Sequence, residues 1–421
     1  MSCLIIHIGM PKTGSSSIQE ELFKKTSLGQ YKYTDLGLLN HGGVIRSIFS
    51  NDLHAWHGHK FNNRSDTEII EFNCYYRDLL ALEFSSGGDK IISGEDIFHM
   101  DSEALRKLKE FCDNYFTTIK IVGYVRSPLS FMESAFIQLV KNHNQKNIDF
   151  SILWPQYFTK LSSFDAVFGN ENVILKHFTQ SDLYHGDVVK DFFNLLGLQV
   201  PSSPKKSNES LSLEALACLF VYRKYGGLVD SSTSSHVFSP ALVERLSNFG
   251  STKFGFSKSL VDKVFTENRK DIEWINSRLG KNIDDSAVEK EYAISNEQDF
   301  VDIALMSLSN LARFNELNID ADKDNKNILA FFFKQLKSFA YSVASSSDSN
   351  EKLKFYFDER QCAILSGSTI GPAVFLREMA LSFKRAKNYQ DALKCIDAAI
   401  NLKPSALDLK KIRSDIIVFL M

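Results

Sequence analysis

Lys12 lies inside a short glycine-bounded turn, HIGMPKTGSSSIQ, and Arg126 ends an apolar run, IKIVGYVRSPLSF. These two cations, with the hydroxyls around them, are well suited to hold a multiply charged anion. Gly9 and Gly14 let the backbone turn sharply and approach a ligand closely, and the amides from Thr13 to Ser16 point donors at an anion where a helix begins. Phosphate and sulfate oxygens are the natural guests of such a turn. A lysine within it, sitting over the bridging oxygen of a 5′ anhydride, would hold the charge that develops as a group leaves.

The turn departs from the loop of nucleoside triphosphatases. That pattern, GxxxxGK[ST], needs a lysine directly after the second glycine and then a hydroxyl for Mg²⁺. Here Ser15 follows Gly14, and the lysine is Lys12. This spacing resembles the 5′-phosphosulfate loop of sulfotransferases, which use 3′-phosphoadenosine 5′-phosphosulfate (PAPS). The second segment carries the resemblance further. In that family an arginine at a strand end and a serine eight residues later hold the 3′-phosphate, and Arg126 and Ser134 reproduce the spacing. A guanidinium supplies a forked, permanently charged donor.

The resemblance implies that Gly9, Lys12, Thr13, Gly14, Ser15 and Ser16 bind the 5′-phosphosulfate, that PAPS is the co-substrate, and that no metal is needed. Transfer would be a direct in-line attack by an acceptor hydroxyl, with a carbohydrate as the expected acceptor. Ser17 stands where cytosolic small-molecule enzymes of the family often carry a tryptophan near the adenine, so the adenine contacts do not carry over. Two other classes compete. A P-loop kinase or nucleotide hydrolase lacks support because no lysine follows Gly14. A catalytically inactive nucleotide-binding scaffold would not need the intact set of Lys12, Arg126 and Ser134.

A base must take the acceptor's proton, and two residues are candidates. Glu95, in IISGEDIFHM, follows a short apolar run at the edge where open parallel sheets place their ligands. In the wider sulfotransferase superfamily a glutamate or histidine does this work, and Glu95 resembles that residue by location only. His41, beside Gly42 and Gly43, is the second candidate, since an exposed glycine turn presents an imidazole to a cleft. His54, His57 and His59 form an HxxHxH pattern, but no acid or cysteine nearby completes a tetrahedral metal set. His99 reads as a helix-flanking residue.

The elements that position these groups follow from periodicity and punctuation. Leu4–Ile8 is a buried strand run into the first turn, and β-branched residues precede Arg126. Ser127 is a candidate helix N-cap with Pro128 at the first helical position, and Leu129, Met132, Phe136, Leu139 and Val140 recur at helical spacing. Between the two motifs, DKIISGEDIFHMDSEALRKLKEFC reads as strand, turn and helix, with Asp101 or Ser102 as cap. FGNENVILKHF reads as another strand, and LYHGDVVKDFFNLLGL as an amphipathic helix ending at Gly197. A basic loop with Lys205 and Lys206 leads to a helix capped by Ser210 or Ser212, and NRKDIEWINSRLG reads as a closing helix. In the wider family a late basic loop folds over the 3′-phosphate, a role Lys205 and Lys206 would fill.

The expected fold is therefore α/β, a P-loop-type three-layer arrangement with a central parallel sheet over residues 1–296. A helical connector is expected over 297–348, ending in the polar run SSSDSN. An all-helical segment is expected over 349–421. There Leu376, Ala380, Phe383, Tyr389, Ala392, Ile396, Ala399 and Pro404 resemble the large and small positions of a tetratricopeptide repeat, broken near Lys387 and Asn388. One repeat cannot bury its own faces, so the segment is either a hairpin docked on the rest or a short array that recruits a protein partner or self-associates.

Composition sets bounds. The 421 residues are 44% hydrophobic and 24% charged with a formal net charge of −2, which gives no support to nucleic-acid binding. The six cysteines are far apart, with no CxxC pair, and so indicate neither a disulfide framework nor a zinc site. No leader-like charged segment precedes the first strand, and no stretch approaches the ~20 apolar residues of a membrane span. A cytoplasmic location is expected.

Overall fold

The structure, a computed structural model, describes residues 2–25, 28–202, 210–229, 240–286, 292–307, 372–385, 389–403 and 406–417. Lys205, Lys206, Lys387, Asn388, Pro404 and the SSSDSN run lie outside the described residues. The chain divides into two compact units, Met1–Gly226 with Leu246–Asp322, and Gly227–Arg245 with Lys323–Met421.

The first unit is α/β. Its five strands are β1 (Cys3–His7), β2 (Tyr31–Tyr33), β3 (Asp89–Ser93), β4 (Thr118–Val125) and β5 (Val173–His177). All pair in parallel, in the order β2-β3-β1-β4-β5. Alternation along the central strands sends side chains to two opposite cores, as a parallel sheet covered on both faces requires. Leu4, Ile6, Ile92, Ile119 and Ile121 join one core with residues of α2 (Gly42–Phe49), α3 (His57–Phe61) at its margin, α4 (Asp66–Ser85) and α5 (Ser102–Asp113). Ile5, Ile91, Val122 and Tyr124 join the other, with Ile18 and Leu22 of α1 (Ser15–Lys24) and with Val189, Phe192 and Phe193 further along the chain.

Three more helices matter for the site: α6 (Pro128–Asn142), α7 (Phe150–Leu153) and α8 (Tyr157–Phe168). The run from Val188 to Leu195 forms α9, capped by Asp187 and followed by Gly197 at φ +65°. Asp101, rather than Ser102, caps α5 by accepting from the Ala104 N–H at 2.8 Å. Ser212, rather than Ser210, caps the helix Leu213–Val229 by accepting from the Ala215 N–H at 3.0 Å.

The helix Glu297–Met306, expected to begin a separate connector, lies within the first unit. Phe300 stacks on Phe136 at 5.6 Å and meets Phe220 at 4.6 Å, while Phe254 and Phe256 approach Phe136 at 5.7 and 5.5 Å. Aromatic rings packed edge and face stabilise such a cluster beyond their area alone. It anchors the far half of α6, the helix that starts at Arg126's neighbour.

In the second unit the helices Pro372–Arg385, Tyr389–Leu402 and Leu407–Ile417 share one buried set: Ala380, Phe383, Ala392, Ile396, Ala399, Leu409 and Ile416. The alanines let the first two helices approach closely, and the third contributes Leu409 and Ile416 to the same core. Among the described residues, no helix is long and apolar enough to cross a membrane.

Candidate anion site at the carboxyl edge of the sheet

β1 and β4 are neighbours, and the chain leaves them on the same edge, where the strand order reverses; open α/β sheets bind ligands at such a point. The Ile8 N–H donates to the Val122 carbonyl at 3.0 Å, so pairing persists to the start of the turn. Gly9 (φ +31°) and Gly14 (φ +78°) both adopt left-handed backbone, and a Cβ at Gly9 would stand 2.3 Å from Ser15 Oγ. Lys12 also has a positive φ, +67°, in the same turn. The Thr13 hydroxyl donates to the Met10 carbonyl at 2.6 Å and is buried, which closes the turn from within. Gly14, the N-cap of α1, has no side chain with which to cap the first amides of that helix.

Arg126 meets this turn directly. Its Nη1 donates to the Lys12 carbonyl at 3.0 Å, and its Nε donates to Ser130 Oγ at 2.7 Å. The Tyr157 hydroxyl holds the Arg126 carbonyl at 2.5 Å. Phe178, from the end of β5, lies under the guanidinium at 6.0 Å and would touch a Cβ at Gly14 at 3.8 Å. Burial lowers the Arg126 pKa, and Glu133, Asp285 and Tyr157 favour its charge. Ser134 lies half-buried one turn beyond Ser130 on α6, and the serine that Arg126 touches is Ser130.

Lys12 keeps an exposed surface, yet loss of hydration lowers its pKa first; Glu95 opposes that shift, and repulsion from Arg126 and Lys141 adds to it. Three cations and one carboxylate thus share one field. A multiply charged anion would relieve the repulsion among the cations. Lys141, in the last turn of α6, was not singled out from the sequence, because an isolated lysine on a helix carries no pattern.

Glu95 opens a short 3-10 turn, Glu95–His99, directly after β3. Burial pushes its carboxyl up to about 6, and Asp96 adds to this, while Lys12 and the Ser15 hydroxyl pull the other way. The Ser15 hydroxyl is buried and close enough to favour the carboxylate, though it makes no hydrogen bond of ordinary geometry. Glu95 is held there by glycine contact: a Cβ at Gly94 would lie 2.2 Å from the Gly42 Cα and N, and one at Gly42 would lie 3.0 Å from the Glu95 N.

His41 is not displayed in an open turn. The ring is fully buried, stacked on Tyr33 at 4.5 Å, and its Nδ1 accepts from the Ser93 N–H at 3.3 Å. Burial pushes its pKa down to about 4, against the Leu38 and Thr34 carbonyls and Asp35. The glycines after it serve close packing: a Cβ at Gly43 would strike the Trp56 ring at 2.3 Å. His59 of the HxxHxH run is likewise buried, 2.5 Å from Ser47 Oγ, with Arg64 at 3.2 Å, whereas His54 pairs with Asp66 at the surface.

Behind the turn runs a buried polar seam. His7 Nδ1 lies 2.7 Å from Ser93 Oγ, and Gln19 Nε2 donates to the same oxygen at 3.2 Å. Burial holds His7 neutral, with a pKa near 3. This seam joins β1, β3 and α1 behind the loop, and its histidine was hidden in the apolar run of the first strand.

No family model matches the chain, and no solved structure matches it significantly. Over 126 residues it is 28% identical to an uncharacterized protein of Archaeoglobus fulgidus. That match covers 29% of this chain and 34% of the archaeal protein, about a third of each.

Proposed function

We propose that the chain is a sulfotransferase that moves a sulfuryl group from PAPS to an acceptor hydroxyl, on a P-loop-type fold. The observation that carries this reading is the 3.0 Å hydrogen bond from Arg126 to the Lys12 carbonyl, which joins the two anion-binding segments beside Glu95. The turn residues Gly9, Lys12, Thr13, Gly14, Ser15 and Ser16 would hold the 5′-phosphosulfate, and Arg126 with Ser134 the 3′-phosphate. PAPS supplies an activated sulfuryl group on a phosphate leaving oxygen.

Glu95 then accepts the acceptor's proton as its oxygen bonds to sulfur, and Lys12 holds the charge that appears on the leaving phosphate oxygen. A carboxyl with a pKa of about 6 is ionised at neutral pH yet basic enough for this work. The fully buried ring of His41 favours Glu95 over it as base. The missing lysine after Gly14 disfavours a kinase or nucleotide hydrolase.

The acceptor in this reading is a carbohydrate hydroxyl, the protein is cytoplasmic, and the C-terminal helices form a tetratricopeptide-like module for a protein partner or self-association. Calorimetry with 3′,5′-adenosine diphosphate against ATP tests the reading. Preference for the bisphosphate by at least ~2 kcal/mol is expected, because ATP lacks the 3′-phosphate that would make charge-assisted bonds to Arg126. Equal affinity for ATP would refute it.

A further inference from the structure

A second constellation stands beside the anion site. Ser127 Oγ lies 2.8 Å from His177 Nε2, and His177 Nδ1 lies 2.7 Å from Asp182 Oδ2. Lys281 pairs with the same Asp182 carboxylate. The carboxylate on Nδ1 keeps the imidazole proton there, so Nε2 accepts from the serine hydroxyl. Burial lowers the His177 pKa while Asp182 raises it, and the neutral ring is the form that takes a proton. The side chain of His177 is 11% exposed and that of Asp182 31%, so the group is sheltered without being sealed.

The decisive feature is what Ser127 does not do. It occupies the N-cap position of α6, where a serine ordinarily accepts from the helix amides, yet its side chain makes no cap hydrogen bond. Those amides are taken by a distant residue: the Leu129 and Ser130 N–H groups donate to the two Asp285 carboxylate oxygens at 2.8 and 3.0 Å. Asp285 relieves Ser127 of capping, and the free hydroxyl turns to His177.

We propose that Ser127 is a nucleophile activated by His177 and Asp182, acting on carboxylic esters that carry an anionic group, which the adjoining Arg126 would attract. Ser127 Oγ bonds to the acyl carbon as its proton passes to His177 Nε2. The ester C–O bond breaks, and the leaving alkoxide takes that proton. Water then adds by the same route, returning the proton to Ser127 and releasing the acid. This activity does not depend on the sulfotransferase reading.

A fluorophosphonate probe tests it on the full chain. Ser127 Oγ would bond to phosphorus, fluoride would leave, and intact mass with peptide mapping would place a single adduct on Ser127. Ser127→Ala should abolish the adduct, and His177→Ala should slow its formation by at least ~10²-fold. Ser127→Cys keeps the shape should the alanine variant misfold, and its thiol should alkylate with iodoacetamide at least ~10-fold faster than the chain's other cysteines. The proposal falls if the chain stays unmodified where a serine esterase is fully labelled, if the adduct maps elsewhere, or if His177→Ala labels at the parent rate. Labelling that persists in a chain unable to bind 3′,5′-adenosine diphosphate would sink the sulfotransferase reading alone.

Discussion

Arg126 donates through Nη1 to the backbone carbonyl of Lys12 at 3.0 Å, which makes the guanidinium a brace for the turn. The two residues lie 114 positions apart, and they meet because β1 and β4 are parallel neighbours that end on one edge. Removing either changes the other's surroundings, but the losses should differ in kind. Arg126→Ala should weaken binding of 3′,5′-adenosine diphosphate at least ~10-fold, since it removes a charged contact and loosens the turn. Titration calorimetry on the variant checks this.

For Lys12 the expected loss is in turnover, by ~10² or more, because in the proposed transfer its charge acts mainly where a leaving oxygen becomes anionic. Two variants separate backbone from charge. Lys12 sits at φ +67°, which glycine adopts freely and alanine does not, so Lys12→Gly should melt higher than Lys12→Ala while both lose turnover alike. If turnover survived in both, with only affinity reduced, Lys12 would be a binding residue.

Glu95 gives the site a pH signature. Its carboxyl is raised to about 6, so the base form grows as pH rises through that value, and turnover should climb on an acid limb centred there. Glu95→Gln should remove both the limb and most turnover while keeping nucleotide affinity. The stability effect has the opposite sign. A folded pKa above the unfolded one means that the neutral acid favours the fold, and this contribution is lost as pH rises from the ordinary carboxylate range through about 6. Glu95→Gln should therefore be more stable than the parent at pH 7, by on the order of 1–2 kcal/mol, in thermal melts at matched pH.

The turn and both strand-turn-helix units were legible because local spacing encodes them: Gly9, Lys12 and Gly14 lie within six residues, and Ser127-Pro128 punctuates a clear helical period. The parallel sheet followed from apolar runs alternating with helical ones. What stayed hidden was set by distance in the chain. His41 is buried because Tyr33 and Ser93 enclose it, and no local pattern in LLNHGG announces either. Ser130 as the partner of Arg126, Lys141 in the field of Lys12, and the His7 seam all arise from tertiary neighbours. The glycines at 42 and 43 suggested an open turn, whereas they permit backbone and indole to pack against α2.

That packing makes Gly94 a severe test of the fold. Alanine there would drive a Cβ to 2.2 Å from Gly42 backbone atoms, which cannot swing aside as a side chain could. β3 and α2 would have to part, carrying Glu95 away from Lys12. Gly94→Ala should cost at least ~2 kcal/mol and lower turnover together with melting temperature. Gly37→Ala is the control: its Cβ meets nothing within 4 Å, so only the strain of φ +66° remains, roughly 1 kcal/mol.

Asp285 couples helix capping to both constellations. It accepts from the Leu129 and Ser130 amides and also helps keep Arg126 charged. Asp285→Ala strips two charge-assisted bonds from a partly buried helix end, a loss of about 1–3 kcal/mol in chemical denaturation. The vacated amides would then be open to Ser127, which already holds the N-cap position and should rotate onto them. That rotation breaks its contact with His177. Asp285→Ala should therefore reduce fluorophosphonate labelling of Ser127 more than ~10-fold in protein that remains folded at the assay temperature, while Asp285→Asn, which keeps one acceptor oxygen, should fall between the parent and the alanine variant. Unchanged labelling in a destabilised alanine variant would show that capping by Asp285 is not what frees the serine.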